Sequence, residues 1–300
     1  MPQLSLTTLS GVDPTTDDDH HFETSWILPP AILACLRGLI SLYIFVSIFI
    51  FWGWYGTHDD RASIGHSFSY FTWLTYWGIG FYMLFAAIHT ACYARTGRSL
   101  LLDRWPRAFR VLHSLLYVTV TTYPFLVTIV YWALLFAPPW FEKIFTGWQN
   151  ISLHCLNSVY ALLEIVLPAT APHPFIAIPF LILMLLLYLC VAYITHATEG
   201  WYPYSFLDVD HGQKSILVMG YCFGILAAVL VLFLVSWALV HLRRRLTHGK
   251  IKRARRDPLR AHDAFVGTCG GEQLNEMKSM PVYGEVMGRF TSSGGNCLGG

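Results

Sequence analysis

The residues best suited to chemistry lie in one apolar stretch, residues 147–167, which carries His154 near one end and Glu164 ten residues on. Successive helical residues are rotated by about 100°, so Asn157, Ser158 and Glu164 project within roughly 80° of His154. One face of a hydrophobic helix is therefore polar. Ionisable groups at membrane depth are rare and usually face the protein interior. Interhelical hydrogen bonding without any chemistry explains this face equally well.

Composition places these residues in a membrane. The chain has 300 residues, of which 55% are hydrophobic and 13% are charged, whereas about 25% are charged in soluble proteins. Several apolar runs exceed the ~18 residues that identify a spanning helix. The sequence predicts an all-α, polytopic integral membrane protein, a bundle of about six transmembrane helices with disordered cytosolic tails. The predicted spans cover approximately residues 31–54, 68–93, 111–136, 147–167, 175–194 and 215–240.

The same pattern predicts three regions. Residues 1–29 are polar and lack the basic segment of a signal peptide, so we expect a disordered tail. The six-span domain is predicted to cover residues 30–242. Residues 243–300 are predicted to form a second disordered tail, first basic and then rich in Gly and Ser. A juxtamembrane segment that touches anionic lipid explains the basic run, so no nucleic-acid partner is expected.

Basic residues set the predicted orientation. With six spans, the loop after the second span and the C-terminal segment share one side, and both are rich in Arg and Lys. The positive-inside rule then places both termini in the cytosol. The second and fourth spans begin on the opposite side, with Thr72 and His154 roughly 5–6 Å below that interface. They are able to meet if the two helices are neighbours. Arg37, early in the first span, is predicted to extend to the near interface.

A threonine and a histidine at this shallow depth are residue types that can form a nucleophile and base pair. A threonine hydroxyl becomes a nucleophile when a nearby base takes its proton, and neutral imidazole is such a base near pH 7. In such a pair the hydroxyl attacks a carbonyl carbon, the imidazole relays the proton to the leaving group, and an oxyanion develops on the carbonyl. Asparagine amides are candidates to stabilise the oxyanion. The predicted supporting residues are Asn150, Asn157, Glu164 and His196.

Three sequence blocks resemble a known family. They are Gly147-Trp148-x-Asn150-x-x-x-His154 with Glu164 beyond it, Phe71-Thr72 at a span start, and the loop from His196 through Gly200-Trp201 and Tyr204 to Asp208. Over roughly residues 35–240 the chain resembles the androgen-induced and androgen-dependent transmembrane proteins. The resemblance implies a threonine hydrolase of fatty acid esters of hydroxy fatty acids, with Thr72 as nucleophile and His154 as its partner. On this expectation Thr72 attacks the ester carbonyl, His154 relays the proton to the leaving alcohol, and water releases the acyl group.

The expected partners are accordingly membrane lipids and a lipid ester substrate, with no metal and no cofactor. The expected membrane is the endoplasmic reticulum or the plasma membrane. The chain departs from the family pattern at two positions. Thr75 stands where a carboxylate is expected, and Thr195 stands where a second histidine is expected.

A second resemblance is to the rolling stone family, multi-span membrane proteins associated with cell fusion. The matching blocks are Leu74-Thr75-Tyr-Trp77-Gly78, Val127-Thr-Ile-Val-Tyr-Trp132 and Asn150-Ile-Ser-Leu-His154. This resemblance implies the same fold and a non-catalytic protein. The hydrolase expectation therefore follows from the first resemblance alone.

Other assignments use the same residues. Ser158 is one turn from His154, but its hydroxyl is expected to bond the carbonyl four residues back in its own helix. His154 and His196, with Asp59 or Glu199, are residue types that suit zinc. The sequence has no H-x-x-x-H or H-x-x-H-H cluster of the di-iron membrane oxygenases. A metal-dependent enzyme or a transporter therefore ranks below both a hydrolase and a non-catalytic membrane protein.

The sixth predicted span carries a stripe of small residues at helical spacing, Gly220, Gly224 and Ala228. Such a stripe allows two helices to approach closely. It predicts either packing within the monomer or a homodimer seam.

Overall fold

The computed structural model describes residues 20–100, 104–208 and 215–279, with side chains up to residue 247. Every regular element in these ranges is a helix, so the chain is an all-α protein. The elements are α1 (Pro30–Thr57), α2 (Ala62–His66), α3 (Phe71–Thr96), α4 (Arg107–Val120), α5 (Tyr123–Val130), α6 (Ile144–Ile151), α7 (Asn157–Val166), α8 (Ile178–Glu199) and α9 (Ser215–Ser279). Two segments are π-helical. Tyr131–Leu135 follows α5, and Ser152–Leu156 joins α6 to α7.

Five helical segments are long and apolar enough to cross a membrane, so the protein is polytopic. They are Pro30–Thr57, Phe71–Thr96, Arg107–Leu135, Phe175–Glu199 and Ser215–Thr247. The fourth predicted span, residues 147–167, is helical from α6 through α7 but is not among the five. It is more polar because it carries amide, imidazole and carboxyl side chains. A sixth crossing stays a prediction.

Close packing of α1 against α3 builds the main core. Gly80 makes this approach possible, because a Cβ atom there would lie 2.9 Å from Ile44 Cγ2. The Ser41 hydroxyl donates to the Gly80 carbonyl at 3.0 Å across the same contact. Ile44, Tyr76 and Ile79 are fully buried around it. The other face of α3 contacts the Ser152–Leu156 segment and α7, so the second and fourth predicted spans are neighbours.

Arg37 lies in the core and not at the interface, so the expectation that it extends to the interface is wrong. Its Nε is 3.2 Å from Glu164 Oε2, its Nη2 pairs with Glu164 Oε1, and its side chain is 1% exposed. Nη1 donates to the Phe22 carbonyl at 2.8 Å and to Thr90 Oγ1 at 2.6 Å. The Tyr82 hydroxyl donates to Glu164 at 2.8 Å. A buried carboxylate with further hydrogen bonds compensates the guanidinium, so it need not reach water.

The N-terminal segment is packed from residue 20 onward, which corrects the predicted tail of residues 1–29. The Ala169 N–H donates to the Thr24 carbonyl at 2.8 Å, and Trp26 Nε1 donates to the Val166 carbonyl at 2.7 Å. Phe22 packs in the main core. Residues 20–29 therefore form part of the folded unit, and residues 1–19 lie outside the described residues.

The C-terminal boundary also differs from the predicted one at residue 243. Arg243 is 7% exposed and donates to the Ile165 carbonyl at 2.8 Å and to the carbonyls of Pro168 and Thr170. Carbonyls at a helix end lack intrahelical partners and attract cations, which explains why a basic residue packs there. Helix α9 continues to Ser279, although residues from 255 belong to a second compact unit. Residues 280–300 lie outside the described residues.

The small-residue stripe on α9 divides between two environments. Ala228 packs against the buried cluster around Phe233 within the monomer. A Cβ atom at Gly220 or Gly224 would meet nothing within 4 Å. A homodimer through Gly220, Gly224 and Ala228 stays a prediction.

Candidate functional site

His154 and Tyr131 form the centre of the candidate site. His154 lies in the π-helical segment Ser152–Leu156, and Tyr131 begins the other π-helical segment, Tyr131–Leu135. Their rings stack with centroids 3.5 Å apart and 11° between the ring planes. π-helical turns are rare and occur frequently at functional sites. Two such segments that meet through an imidazole and a phenol favour a site over ordinary helix packing.

Side chains of the third span hold the backbone at His154. The His154 carbonyl accepts hydrogen bonds from Thr128 Oγ1 at 2.7 Å and from Trp132 Nε1 at 3.3 Å. A π-helical turn interrupts the regular i→i−4 bonding, so its backbone groups need partners elsewhere. Thr128 and Trp132 supply them. The position of His154 is therefore determined by two helices and not by its own helix alone.

The hydrogen bond of the imidazole assigns its tautomer. His154 Nδ1 lies 3.1 Å from the Asn150 carbonyl oxygen. A carbonyl accepts and does not donate, so Nδ1 of neutral His154 carries the proton. Nε2 then keeps the lone pair that a general base requires.

Asn150 and Asn157, the predicted oxyanion donors, bond carbonyls of their own helices. Asn150 Nδ2 donates to the Thr146 carbonyl at 2.9 Å, and Asn157 Nδ2 donates to the Leu153 carbonyl at 2.6 Å. Asn150 Oδ1 accepts a hydrogen bond from the Tyr131 hydroxyl at 2.6 Å. Asn150 thus orients both rings, His154 through its carbonyl and Tyr131 through its side chain. The oxyanion role of the two amides stays a prediction.

Thr72 lies in the first turn of α3 and lines a cavity of about 280 Å³. Tyr131 and Tyr204 line the same cavity. Aliphatic and aromatic side chains from α5, α8, α9 and the 204–207 loop form most of its remaining wall. The cavity is therefore mostly apolar, with the Thr72 hydroxyl among its few polar groups.

Tyr204 is a site residue that the sequence did not single out. It belongs to the loop after α8, and its hydroxyl contacts Thr72. Burial raises the pKa of Tyr204, while hydrogen bonds with the side chain and backbone of Thr72 act in the opposite direction. The phenol therefore stays protonated at neutral pH and is able to donate a hydrogen bond. Both Tyr131 and Tyr204 lay within sequence blocks that carried a family resemblance.

Thr72 and His154 both lie close to Tyr131 but do not hydrogen-bond each other. Tyr131 lines the cavity beside Thr72, and its ring covers the imidazole. Within the described part of the chain, no hydrogen bond joins Thr72 to His154; the imidazole bonds the Asn150 carbonyl instead. Direct contact between the two requires the Tyr131 side chain to move, or a water molecule to bridge them.

Comparison with known proteins tests the first family resemblance. The model of the FAR-17a/AIG1-like protein family matches residues 32–237. The chain belongs to this family. The match covers most of the five described spans and all three sequence blocks that carried the first resemblance, which is thereby confirmed. Comparison with curated proteins and comparison with solved structures returned no match.

Two other predicted residues lie away from the cavity of this FAR-17a/AIG1-like protein. Glu164 is 2% exposed and is paired with Arg37, so its role in the structure is to compensate a buried charge. His196 lies in the last turn of α8 and stacks on Tyr202, with ring centroids 3.9 Å apart. Neither lines the cavity at Thr72. Their supporting roles in the chemistry stay predictions.

The geometry of this FAR-17a/AIG1-like protein gives little support to Ser158 as the nucleophile or to a metal site. The Ser158 hydroxyl contacts Thr128 Oγ1 at 2.7 Å and donates to the Pro124 carbonyl at 3.1 Å. It bonds across helices because Thr128 already occupies the carbonyl four residues back, so the expectation for Ser158 is wrong. Glu199 pairs with His66 at 3.1 Å. Among the residues described, no three His, Cys, Asp or Glu side chains are grouped to hold a metal ion.

Proposed function

We propose that this FAR-17a/AIG1-like protein is an intramembrane lipid ester hydrolase with Thr72 as nucleophile and His154 as general base. One observation carries the proposal: Thr72 lines an apolar cavity, and a single aromatic ring, Tyr131, lies between that cavity and an imidazole whose Nε2 is the basic nitrogen. Apolar cavities with a few convergent polar groups are typical of ligand sites. An acyl chain fits such walls, and its ester group belongs at the hydroxyl-bearing wall.

The reaction follows from these roles. His154 Nε2 takes the proton of the Thr72 hydroxyl, directly after Tyr131 moves or through one water molecule. Thr72 Oγ1 then bonds to the ester carbonyl carbon, and the protonated imidazole gives its proton to the departing alcohol. Water, deprotonated by His154, attacks the acyl-threonine and releases the fatty acid. As the bond to Thr72 breaks, the protonated imidazole returns its proton to Thr72 Oγ1, and the enzyme is back in its starting state.

Tyr204 is the best-placed donor for the oxyanion. Its hydroxyl already hydrogen-bonds Thr72, and burial holds its pKa above the ordinary value, so it remains a donor at neutral pH. A donor fixed beside the nucleophile stabilises the charge that develops on the carbonyl oxygen. The bonds from Thr128 and Trp132 to the His154 carbonyl hold the base in place during the reaction.

Labelling with an activated fluorophosphonate tests the nucleophile directly. We expect the wild-type protein to be labelled and Thr72→Ala to lose the label, because the phosphonate reacts with the activated hydroxyl. Ser158→Ala is the matched control, since its hydroxyl is bonded to Thr128 and Pro124, and it should label like the wild type. Mass spectrometry of the labelled peptide identifies the residue. Full labelling of Thr72→Ala places the nucleophile elsewhere, and an unlabelled, inactive wild type indicates a non-catalytic membrane protein.

We also propose that both termini face the cytosol, which puts the site near the opposite interface. A glycosylation sequon introduced at residues 58–60, before α2, should then be modified, and one introduced after residue 279 should not. The native sequon Asn150-Ile-Ser152 should remain unmodified. Asn150 lies inside α6, and its side-chain amide is hydrogen-bonded to the Thr146 carbonyl and the Tyr131 hydroxyl. A glycan on the C-terminal sequon would reverse the topology.

A further inference from the structure

A second cavity lies beside the first, on the other side of Phe71. It measures about 250 Å³, against about 280 Å³ for the first, and extends between α3, α4 and α8. Phe71 and Tyr188 line both cavities, whereas Thr72 lines the first and Thr75 lines the second. The two apolar cavities are therefore separated by an aromatic wall around Phe71, the residue that precedes the candidate nucleophile Thr72.

The members of this wall differ in how firmly they are held. The Phe71 ring packs on Tyr188 with centroids 4.9 Å apart and on Tyr123 with centroids 5.1 Å apart. The Tyr188 hydroxyl donates to the Ser69 carbonyl at 3.1 Å, and the Tyr123 hydroxyl donates to the Leu181 carbonyl at 2.6 Å. Both tyrosines are thus anchored to the backbone. Phe71 has no polar group and is only half-buried, so its ring is the part of the wall that a ligand or a substitution displaces most easily.

We infer that Phe71 determines acyl-chain specificity by closing the first cavity against the second. The inference rests on the proposed ester hydrolysis at Thr72. An acyl chain whose carbonyl carbon is at Thr72 begins beside the Phe71 ring, which keeps it out of the second cavity. Removing the ring joins the two cavities and nearly doubles the apolar space within reach of the nucleophile. Phe71 therefore favours the acyl chains that the first cavity accommodates by itself.

The test compares Phe71→Ala and Phe71→Leu with the wild type on esters that differ only in the length of a saturated acyl chain. We expect Phe71→Ala to raise the ratio of kcat/KM for long against short chains by about tenfold or more, because each methylene that a pocket accepts or rejects changes this ratio strongly. Phe71→Leu should move the ratio in the same direction by less. If Phe71→Ala does not fold, the chain-length preference of Phe71→Leu decides the test. An equal change in kcat/KM for every chain length would overturn the inference.

Gly78→Leu supplies a matched control within the second cavity. Gly78 lines that cavity and not the first, and a Cβ atom there would meet nothing within 4 Å. Alone, Gly78→Leu should leave the chain preference unchanged, because the intact wall keeps the chain out of the second cavity. Combined with Phe71→Ala, it should return the preference toward that of the wild type. A changed preference in Gly78→Leu alone would show that the second cavity is already in use.

Cross-linking separates this inference from the proposed function. A photoreactive fatty acid with its reactive group at the chain end is bound to Thr72→Ala with and without Phe71→Ala. We expect cross-links to second-cavity residues such as Met184 only when Phe71 is replaced. If the protein with Thr72 hydrolyses esters but the cross-links do not move to the second cavity, the role of Phe71 is overturned. If the cross-links move but the protein with Thr72 has no hydrolytic activity, the hydrolase proposal is overturned, and the aromatic wall remains a barrier to lipid chains.

Discussion

Replacing Thr72 or His154 is expected to abolish ester hydrolysis to a similar extent, and replacing both should add little to either single loss. We expect each of Thr72→Ala and His154→Ala to lower kcat by at least about 100-fold, the range of a lost general base. Nucleophile and base act as one unit, so their effects are strongly non-additive. The measurement is kcat for a long-chain ester with purified protein in detergent micelles.

The controls for this pair use the same residue types. Thr72→Ser keeps the hydroxyl and should retain turnover. His58→Ala removes an exposed histidine that stacks on Trp54 at the end of α1, away from the cavity, and should leave kcat unchanged. Losses that multiply in the double variant would mean that Thr72 and His154 act independently. Wild-type kcat in Thr72→Ala would remove the proposed nucleophile.

The second large effect concerns folding and not hydrolysis. Glu164→Gln should lower the free energy of unfolding by about 3–5 kcal/mol, because it leaves the buried Arg37 guanidinium without a compensating charge. Arg37 is 1% exposed and has no route to water in the folded state. A loss of this size lowers Tm by roughly 10 °C in a protein of this length. Thermal unfolding in detergent, followed by circular dichroism, measures it.

Glu199→Gln is the matched control for Glu164→Gln. Glu199 also forms an ion pair, with His66 at 3.1 Å, but its side chain is 48% exposed. Exposed ion pairs contribute about 0–1 kcal/mol to the free energy of unfolding. Replacing both buried charges, as in Arg37→Met with Glu164→Leu, should recover much of the lost stability, because no unpaired charge then remains. A Tm for Glu164→Gln within 1 °C of the Glu199→Gln value would contradict the role assigned to the buried pair. Molecules of Glu164→Gln that fold should keep kcat, since Glu164 does not line the cavity.

The sequence by itself determined the membrane class, the family and five of the spans. Hydrophobic length is a local property, so an apolar run such as residues 31–54 identifies a span before any packing is known. The blocks around Thr72 and His154 were also recognisable from sequence, because their residue types and spacing match a family pattern, but only Thr72 proved to lie at the start of its helix. Periodicity further showed that the fourth stretch has a polar face. It did not show what that face contacts.

The tertiary structure alone decided which groups meet. Arg37 and Glu164 are 127 positions apart, and no local pattern indicates that a guanidinium early in one helix will find a carboxylate on another. The π-helical segment at His154 is equally hard to predict from sequence, because the partners of its His154 carbonyl, Thr128 and Trp132, come from a different helix. The same long-range packing places the Tyr131 ring over His154. Residue spacing along one helix specifies its faces, whereas only packing between helices specifies which face each one meets.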